Sequence, residues 1–278
     1  MKATFLCCFV FFMVLLGGPV QALEPFVPYD NFNTIFLDPD KWIGAETNIG
    51  VVILESSREI DWGRLHFRNR IYGGTLSDTG WGVGGTRVLF AETDKVTAIK
   101  ARVQVNWVEV KGCPSSASSN KMYTRAAVRL AGFFFNTGTP TPGSGLHDVQ
   151  AHISLQRQSD STDKPYLLNV VTNVVHCTNA NCTTSISIGT NNLGTISVFR
   201  TAEMSIQWDK GNHRFIFRLD NQPPVYIPYD VPDTSPPGLQ NKRIEVSNVL
   251  PNCTGEPRPV AFIDAYIDNV FVNQTAGP

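Results

Sequence analysis

The feature that most constrains this chain is a strict alternation of apolar and polar residues that recurs in short segments along its length. From Ile99 to Trp107 every second residue is apolar, and the residues between them are Lys, Arg, Gln and Asn. A period of two with one apolar face predicts an antiparallel strand that is buried on one side. The segment from Val149 to Gln156 repeats this pattern.

Further segments with strand character are separated by turn-forming residues, and no helical pattern interrupts them. Their predicted bounds are 51–54, 64–70, 86–90, 126–135, 167–176, 184–188, 204–208, 214–219, 244–249 and 262–272. Many short strands joined by turns favour two stacked sheets. We therefore expect one all-β domain over residues 23–278. The glycine-rich stretch 81–85 is expected to be a loop between strands, and Trp42, Trp107 and Trp208 are expected in the core.

Residues 1–22 have the organisation of a secretory signal peptide. Lys2 supplies the positive start, an apolar run follows, and Val20-Gln21-Ala22 is a small-residue cleavage site. The apolar run is too short to span a bilayer, and no second such run follows. We expect cleavage near Ala22 and a secreted, extracellular or periplasmic, protein with no integral membrane anchor. A retained anchor is the alternative.

The cysteines predict two disulfides. Of six cysteines, Cys7 and Cys8 fall within the predicted signal peptide, which leaves four in an exported chain. An even number in an oxidising compartment favours disulfides. Cys177 and Cys182 flank the turn-rich tetrapeptide Thr-Asn-Ala-Asn, so we favour the pairing Cys177–Cys182 with Cys113–Cys253. The alternatives are reduced cysteines or zinc ligands, and the lack of a Cys-x-x-Cys pair disfavours zinc.

The charge pattern argues against nucleic acid as a partner, and three separate motifs leave glycosylation open. The formal net charge is −1, and no basic run is interleaved with aromatic residues, so nucleic acid is not an expected partner. Asn-x-Thr triplets at Asn181, Asn252 and Asn273 match the N-glycosylation motif, which applies only in a eukaryotic source.

Two segments near the ends of the mature chain carry a family resemblance. The front segment is Tyr29-Asp30-Asn31-Phe32 followed by Leu37-Asp38-Pro39-Asp40-Lys41-Trp42, and the rear segment is Ile267-Asp268-Asn269-Val270-Phe271-Val272. They resemble the first and last strands of the concanavalin A-like lectin/glucanase superfamily. The resemblance implies a two-sheet antiparallel jelly-roll sandwich with these two strands side by side. It also implies a structural Ca²⁺ held by Asp268 and Asp30; a turn residue and a solvated strand residue are the alternative.

The catalytic signature of the glucanase branch is incomplete. That branch carries Glu-x-Asp-x-x-Glu, and here Glu59 and Asp61 match its start while Arg64 occupies the place of the second glutamate. Glu59 and Asp61 on one strand face would be about 7 Å apart, within the roughly 6.5–9.5 Å of inverting glycosidases. No other strand offers a carboxylate pair at such a spacing, so these two are the weak catalytic candidates.

A binding function would use exposed aromatic rings and planar polar groups. Trp62 and Trp81 adjoin glycines, where a ring is either exposed to a sugar or caps the core. The polar rows that include Arg102, Gln150, His152 and Gln156 are either part of a ligand face or simply solvated. The leading hypothesis is a non-catalytic protein that binds a carbohydrate or cell-surface polymer. The alternatives are a polysaccharide hydrolase or lyase and a structural or adhesive surface protein.

Overall fold

The computed structural model describes residues 23–50, 52–73, 82–113, 123–251 and 258–277. The predicted signal peptide, Trp81 and Cys253 lie outside these ranges. Within them, no helix is both long enough and apolar enough to cross a membrane.

The described residues form strands joined by turns, with two short 3₁₀ segments at Lys210–Asn212 and Gln274–Ala276. The strands are β1 (Phe26–Asp30), β2 (Trp42–Ile49), β3 (Val52–Asp61), β4 (Arg64–Gly73), β5 (Gly82–Phe90), β6 (Ala98–Lys111), β7 (Arg125–Asn136), β8 (Asp148–Gln158), β9 (Leu167–Cys177), β10 (Ser185–Ser197), β11 (Thr201–Asp209), β12 (Arg214–Leu219), β13 (Val225–Pro228), β14 (Lys242–Leu250) and β15 (Val260–Asn273).

The strands build two antiparallel sheets that pack face to face. The eight-stranded sheet has the order β13-β12-β11-β6-β15-β4-β3, with β1 also paired to β15. The seven-stranded sheet has the order β10-β9-β8-β7-β14-β5-β2. The predicted two-sheet antiparallel sandwich is therefore confirmed.

The core between the sheets consists of the apolar faces that the alternation predicts. Ile99, Ala101, Val103 and Val105 of β6 are buried, and so are the inward residues of β8. The central strands of both sheets contain no proline, and their ladders satisfy most of the backbone hydrogen bonds that border this layer. The outward faces of both sheets therefore carry the polar residues.

The two end segments are adjacent, as the resemblance implies. Val27 of β1 lies opposite Val272 of β15. The front segment then crosses from one sheet to the other and carries an aromatic cluster. Phe32 stacks on Trp42 with ring centroids 5.8 Å apart, and Trp42 contacts Phe90 at 4.7 Å. These buried rings join the edge of the seven-stranded sheet to β1.

The prediction that Trp107 lies in the core is wrong. Its side chain is 58% exposed on the outward face of the eight-stranded sheet. The cause is an irregularity in the β6–β15 ladder, where Asp264 pairs with Trp107 but Ala265 pairs with Val105. The extra residue, Asn106, reverses the alternation, since a bulge shifts every later side chain to the opposite face. Val108 and Val110 then pack against the core.

The glycine-rich stretch is also not the expected loop, because Gly82–Gly85 belong to strand β5. A Cβ at Gly85 would come within 2.6 Å of the carbonyl oxygen of Val246, and one at Gly84 would collide with Ile71. Glycine is needed here because neighbouring backbone and side chains approach closely.

The disulfide Cys177–Cys182 is present, with the two Cα atoms 4.9 Å apart. Cys113 is also disulfide-bonded, while its predicted partner, Cys253, lies outside the described residues.

Candidate functional site

The outward face of the seven-stranded sheet forms a cleft of about 890 Å³. Side chains from all seven strands or their adjoining turns line it, so it runs across the whole width of the sheet. The lining is rich in amide, hydroxyl and guanidinium groups: Thr47, Arg87, Tyr123, Arg125, Arg129, Gln150, His152, Gln158, Asn173, Asn181, Thr183, Asn241, Arg243, Glu245 and Ser247.

Register and alternation place these groups together. Glu245 of β14 lies opposite Arg87 of β5 on one side and Arg129 of β7 on the other. Neighbouring strands are about 4.8 Å apart, so the three side chains form a row across the cleft floor. Arg243 is two residues from Glu245 on the same strand and therefore on the same face.

Glu245 is the centre of the charged network. Arg129 Nε donates a hydrogen bond to its Oε1 at 2.5 Å, and Arg243 Nε lies 2.7 Å from the same oxygen as an ion pair without hydrogen-bond alignment. Burial alone would raise the pKa of Glu245, but Arg129, Arg243 and Arg87 outweigh burial and hold this pKa at about 2. The carboxylate is therefore ionised at neutral pH.

Two further arginines have a buried nitrogen without a hydrogen bond. The Nε groups of Arg87 and Arg125 are buried and form no hydrogen bond within the described residues. Burial and the positive charge of Arg129 together lower the pKa of Arg125 to about 10, although Glu245 opposes them. Burial also lowers the pKa of Arg243 to about 10. The guanidinium groups of Arg125 and Arg243 therefore remain charged at neutral pH.

His152 lies beside this network, opposite Ala131 of β7 and Asn173 of β9. Its Nδ1 is buried and has no hydrogen-bond partner in the described part of the chain. Burial, with the charges of Arg129, Arg125 and Arg243, lowers its pKa well below the ordinary value. His152 is thus a neutral imidazole in the cleft, rather than the solvated residue of the sequence alternative.

One rim of the cleft is the turn between β9 and β10. Asn181, Cys182 and Thr183 line the cleft from this turn. The disulfide closes the turn, and Gly145 N donates to the carbonyl oxygen of Ala180 at 2.6 Å. The rim is therefore fixed to both β9 and the loop before β8.

The structure divides the residues predicted to bind ligand between the two sheets. Gln150 and His152 line the cleft, whereas Gln156 occupies the same outward face of β8 without lining the cleft. Arg102 is exposed on the outward face of the eight-stranded sheet. Trp62 is 89% exposed in the turn between β3 and β4 of that same sheet. Arg102 and Trp62 are therefore not brought together with the cleft.

Glu59 and Asp61 belong to a separate cluster on the eight-stranded sheet. His66 Nδ1 lies 3.5 Å from a carboxylate oxygen of Glu59 and 4.0 Å from one of Asp61, and its Nε2 lies 3.2 Å from Asp264. The hydroxyl of Tyr266 donates to Asp61 at 2.9 Å. Glu59 and Asp61 do not line the cleft of the seven-stranded sheet, nor the smaller cleft of about 540 Å³ on the eight-stranded sheet.

The two predicted calcium ligands already serve local roles. Asp30 accepts hydrogen bonds from the backbone of Phe32 at 2.8 Å and from the indole of Trp42 at 2.6 Å. Asp268 accepts hydrogen bonds from the backbone and side chain of Asn269. Calcium takes six to eight oxygen ligands, and the described residues contain no cluster of three or more metal-binding side chains. The described residues thus give no support to a calcium site, and Ca²⁺ binding by Asp30 and Asp268 stays a prediction.

Sequence reasoning missed Arg87, Arg125, Arg129, Arg243 and Glu245. A signal was available, because Arg125 and Arg129, like Arg243 and Glu245, have the even spacing that places residues on one strand face. The sequence pattern does not show which strands are neighbours, because β14 and β7 pair although more than a hundred residues separate them in the chain.

No family model and no curated protein sequence matches the chain. Among solved structures, it is similar to a Bacillus licheniformis beta-glucanase, with 9% identity, 90% of this chain and 99% of that chain covered, and a TM-score of 0.40. LamAcat from Zobellia galactanivorans is 11% identical, with coverages of 91% and 98% and a TM-score of 0.41.

A basic winged bean lectin with Tn-antigen is 10% identical, with coverages of 84% and 100% and a TM-score of 0.31. At these identities and TM-scores, the similarities carry no argument about this chain.

Proposed function

We propose that the protein is a secreted, non-catalytic binder of carbohydrate, either a glycan or a cell-surface polymer, and that the ligand lies in the cleft of the seven-stranded sheet. The observation that carries this proposal is the lining of the cleft, where amide, hydroxyl and guanidinium groups extend across a whole sheet. Such groups form hydrogen bonds with a ligand rich in hydroxyls, and an open cleft accommodates a chain-like ligand.

The lack of a second carboxylate supports a binding role over catalysis. Glycoside hydrolysis uses two carboxyl groups, one of which must hold a proton as the general acid. Glu245 is the sole carboxylate among the described residues that line the cleft, and its pKa of about 2 keeps it from holding a proton at neutral pH. Its role is to hold Arg129 and Arg243 in place.

The test is a glycan array probed with the chain from Leu23 onward, followed by calorimetry on any hit. Gln150→Ala combined with Asn173→Ala removes two amides from the cleft and should weaken binding about thirtyfold, since each lost hydrogen bond is worth about 1 kcal/mol. Gln104→Ala on the eight-stranded sheet is the matched control and should leave affinity unchanged. Absence of binding to every glycan would overturn the proposal.

A second candidate function is hydrolysis or lysis of a polysaccharide at the cluster of Glu59, Asp61 and Asp264. It is favoured by the placement of three carboxylates around one imidazole, a combination that supports acid–base chemistry. Glu59→Gln and Asp61→Asn should each abolish any hydrolytic or lyase activity that is detected. Activity that survives both substitutions would remove this candidate.

A further inference from the structure

We propose that the cleft selects an acidic polysaccharide, one whose sugars carry carboxylate or sulfate groups. The inference rests on the proposed function and deepens it by naming the ligand class. It is carried by the excess of arginine in the cleft floor and by the buried guanidinium nitrogens that have no partner.

The charge balance of the cleft is strongly positive. Four guanidinium groups, those of Arg87, Arg125, Arg129 and Arg243, face one carboxylate, that of Glu245. With His152 neutral, the described lining carries a surplus of three positive charges, although the whole chain has a formal net charge of −1. The positive charge is therefore concentrated in this face.

Stability alone does not explain this arrangement. A buried charge is costly unless it is paired, and proteins remove or pair such charges unless they serve a function. Arg129 and Arg243 share Glu245, but the buried Nε groups of Arg87 and Arg125 have no acceptor in the described residues. An anionic ligand would supply the missing acceptors.

The spacing of the arginines suits an extended ligand better than a single small anion. Arg243 lies level with Ala131 on β7, six residues along that strand from Arg125. At about 3.3 Å per residue, the Cα positions at the two ends of the arginine series are about 20 Å apart along the strands. Arginine also binds carboxylate and sulfate oxygens through paired N–H donors, which makes it suitable for both groups.

The experiment compares three chains of galactose-type sugars by calorimetry: an oligogalacturonate, its methyl ester and a sulfated oligogalactan. We expect the oligogalacturonate or the sulfated chain to bind at least about tenfold more tightly than the uncharged ester, and salt to weaken this binding. The preferred acidic chain tells whether carboxylate or sulfate is recognised. Equal binding of the ester would overturn this inference and leave the proposed function intact, whereas absence of binding to all glycans would overturn both.

A pair of charge-matched variants tests the role of the cleft itself. Arg125→Gln should weaken binding of the acidic chain about tenfold and binding of the uncharged ester by a smaller factor, because glutamine keeps an N–H donor but loses the charge. The thermal midpoint of this variant should not fall, because the substitution removes a buried charge without breaking an ion pair. Arg102→Gln, on the opposite sheet, should retain full affinity. Equal affinity of the two variants for the acidic chain would contradict the proposal.

Discussion

At the scale of single residues, Glu245 connects the stability of the fold with the chemistry of the cleft. It is 4% exposed and holds two arginines at once. Without it, the row of guanidinium groups on β5, β7 and β14 would consist of like charges only. Glu245 thus allows a positive surface to exist on the inner strands of a sheet.

Glu245→Gln should lower the free energy of unfolding by roughly 3–5 kcal/mol at neutral pH, because it leaves buried arginines without a counter-charge. Urea denaturation with intact disulfides measures this loss. Glu203→Gln is the control, since Glu203 forms a partly exposed ion pair with Lys100 at 3.6 Å, worth about 1 kcal/mol or less. A similar small loss in both variants would show that the network contributes little.

Lowering the pH should remove the contribution of the same carboxylate to the free energy of unfolding. The pKa of Glu245 is lowered from 4.5 when unfolded to about 2 in the folded protein, so the unfolded state takes up its proton first as the pH falls. Its stabilisation is therefore complete above about pH 4.5 and disappears towards about pH 2. The variant Glu245→Gln should lack this part of the acid-induced loss of unfolding free energy. Urea titrations over that pH range measure it.

His152 should make the stability of the fold depend on pH in a higher range, below about pH 6.5. Its folded-state pKa is well below 6.5, so below about pH 6.5 the unfolded chain binds a proton that the folded chain does not, and stability falls at up to about 1.4 kcal/mol per pH unit. His152→Gln should reduce the difference in unfolding free energy between about pH 7 and about pH 5. His176, whose pKa is also lowered by burial and by His147, retains part of the dependence. An unchanged pH profile would refute the role of His152.

At the scale of strands and turns, the disulfide between Cys177 and Cys182 supports a rim of the cleft. It closes a turn with a sequence separation of 5, and that turn supplies Asn181 and Thr183 to the lining. The double substitution Cys177→Ser, Cys182→Ser should cost about 2 kcal/mol by loop-closure entropy. It should also weaken glycan binding, because the rim residues become less ordered. Calorimetry of both unfolding and binding tests this, and unchanged affinity would show that the rim takes no part.

Strands with an inward apolar row could be predicted from the sequence, and edge strands only in part. β2 and the second half of β10 were missed, and both strands lie at the edges of the seven-stranded sheet. Segments such as Asn191–Thr195 carry few apolar residues because none of their side chains is buried in the core. Trp107 was misplaced since a one-residue bulge leaves no signal in local composition.

The site was less predictable than the fold, for a physical reason. Alternation identified Gln150 and His152 as outward residues, and both line the cleft. The arginines that surround them come from β5, β7 and β14, which are distant in sequence, and their meeting depends on strand order rather than on any local pattern.

At the scale of the whole molecule, the front segment joins the two sheets. β1 belongs to the eight-stranded sheet and β2 to the seven-stranded sheet, and the turn between them contains Phe32 and Phe36. Phe32 is 1% exposed within the aromatic cluster, whereas Phe36 is 75% exposed. The segment that carries the family resemblance is therefore largely a packing element.

Phe32→Ala should lower the free energy of unfolding by about 3–5 kcal/mol, as truncation of a buried phenylalanine does. Phe36→Ala, four residues along the same segment, should change it by no more than about 0.5 kcal/mol. Chemical denaturation of both variants gives the comparison. Equal losses would mean that the aromatic cluster does not hold the sheets together.

Buried Asn273 has a consequence for one glycosylation motif. Its side-chain oxygen accepts hydrogen bonds from the backbone N–H groups of Thr97 and Ala98, and its amide donates to the carbonyl of Lys95. A glycan on this nitrogen would displace the end of β15, so this triplet is structural in the folded chain. Asn181, on the exposed rim of the cleft, is the accessible one of the two described motifs.

The pairing of β1 with β15 decides how the molecule can be attached to a support. Residues 26 and 273 lie opposite each other in the eight-stranded sheet, while the arginine-lined surface belongs to the other layer. A tag joined before Phe26 or after Asn273 is therefore attached to the sheet that does not carry the arginine-lined surface. A protein immobilised through such a tag is expected to keep that surface accessible to the solution.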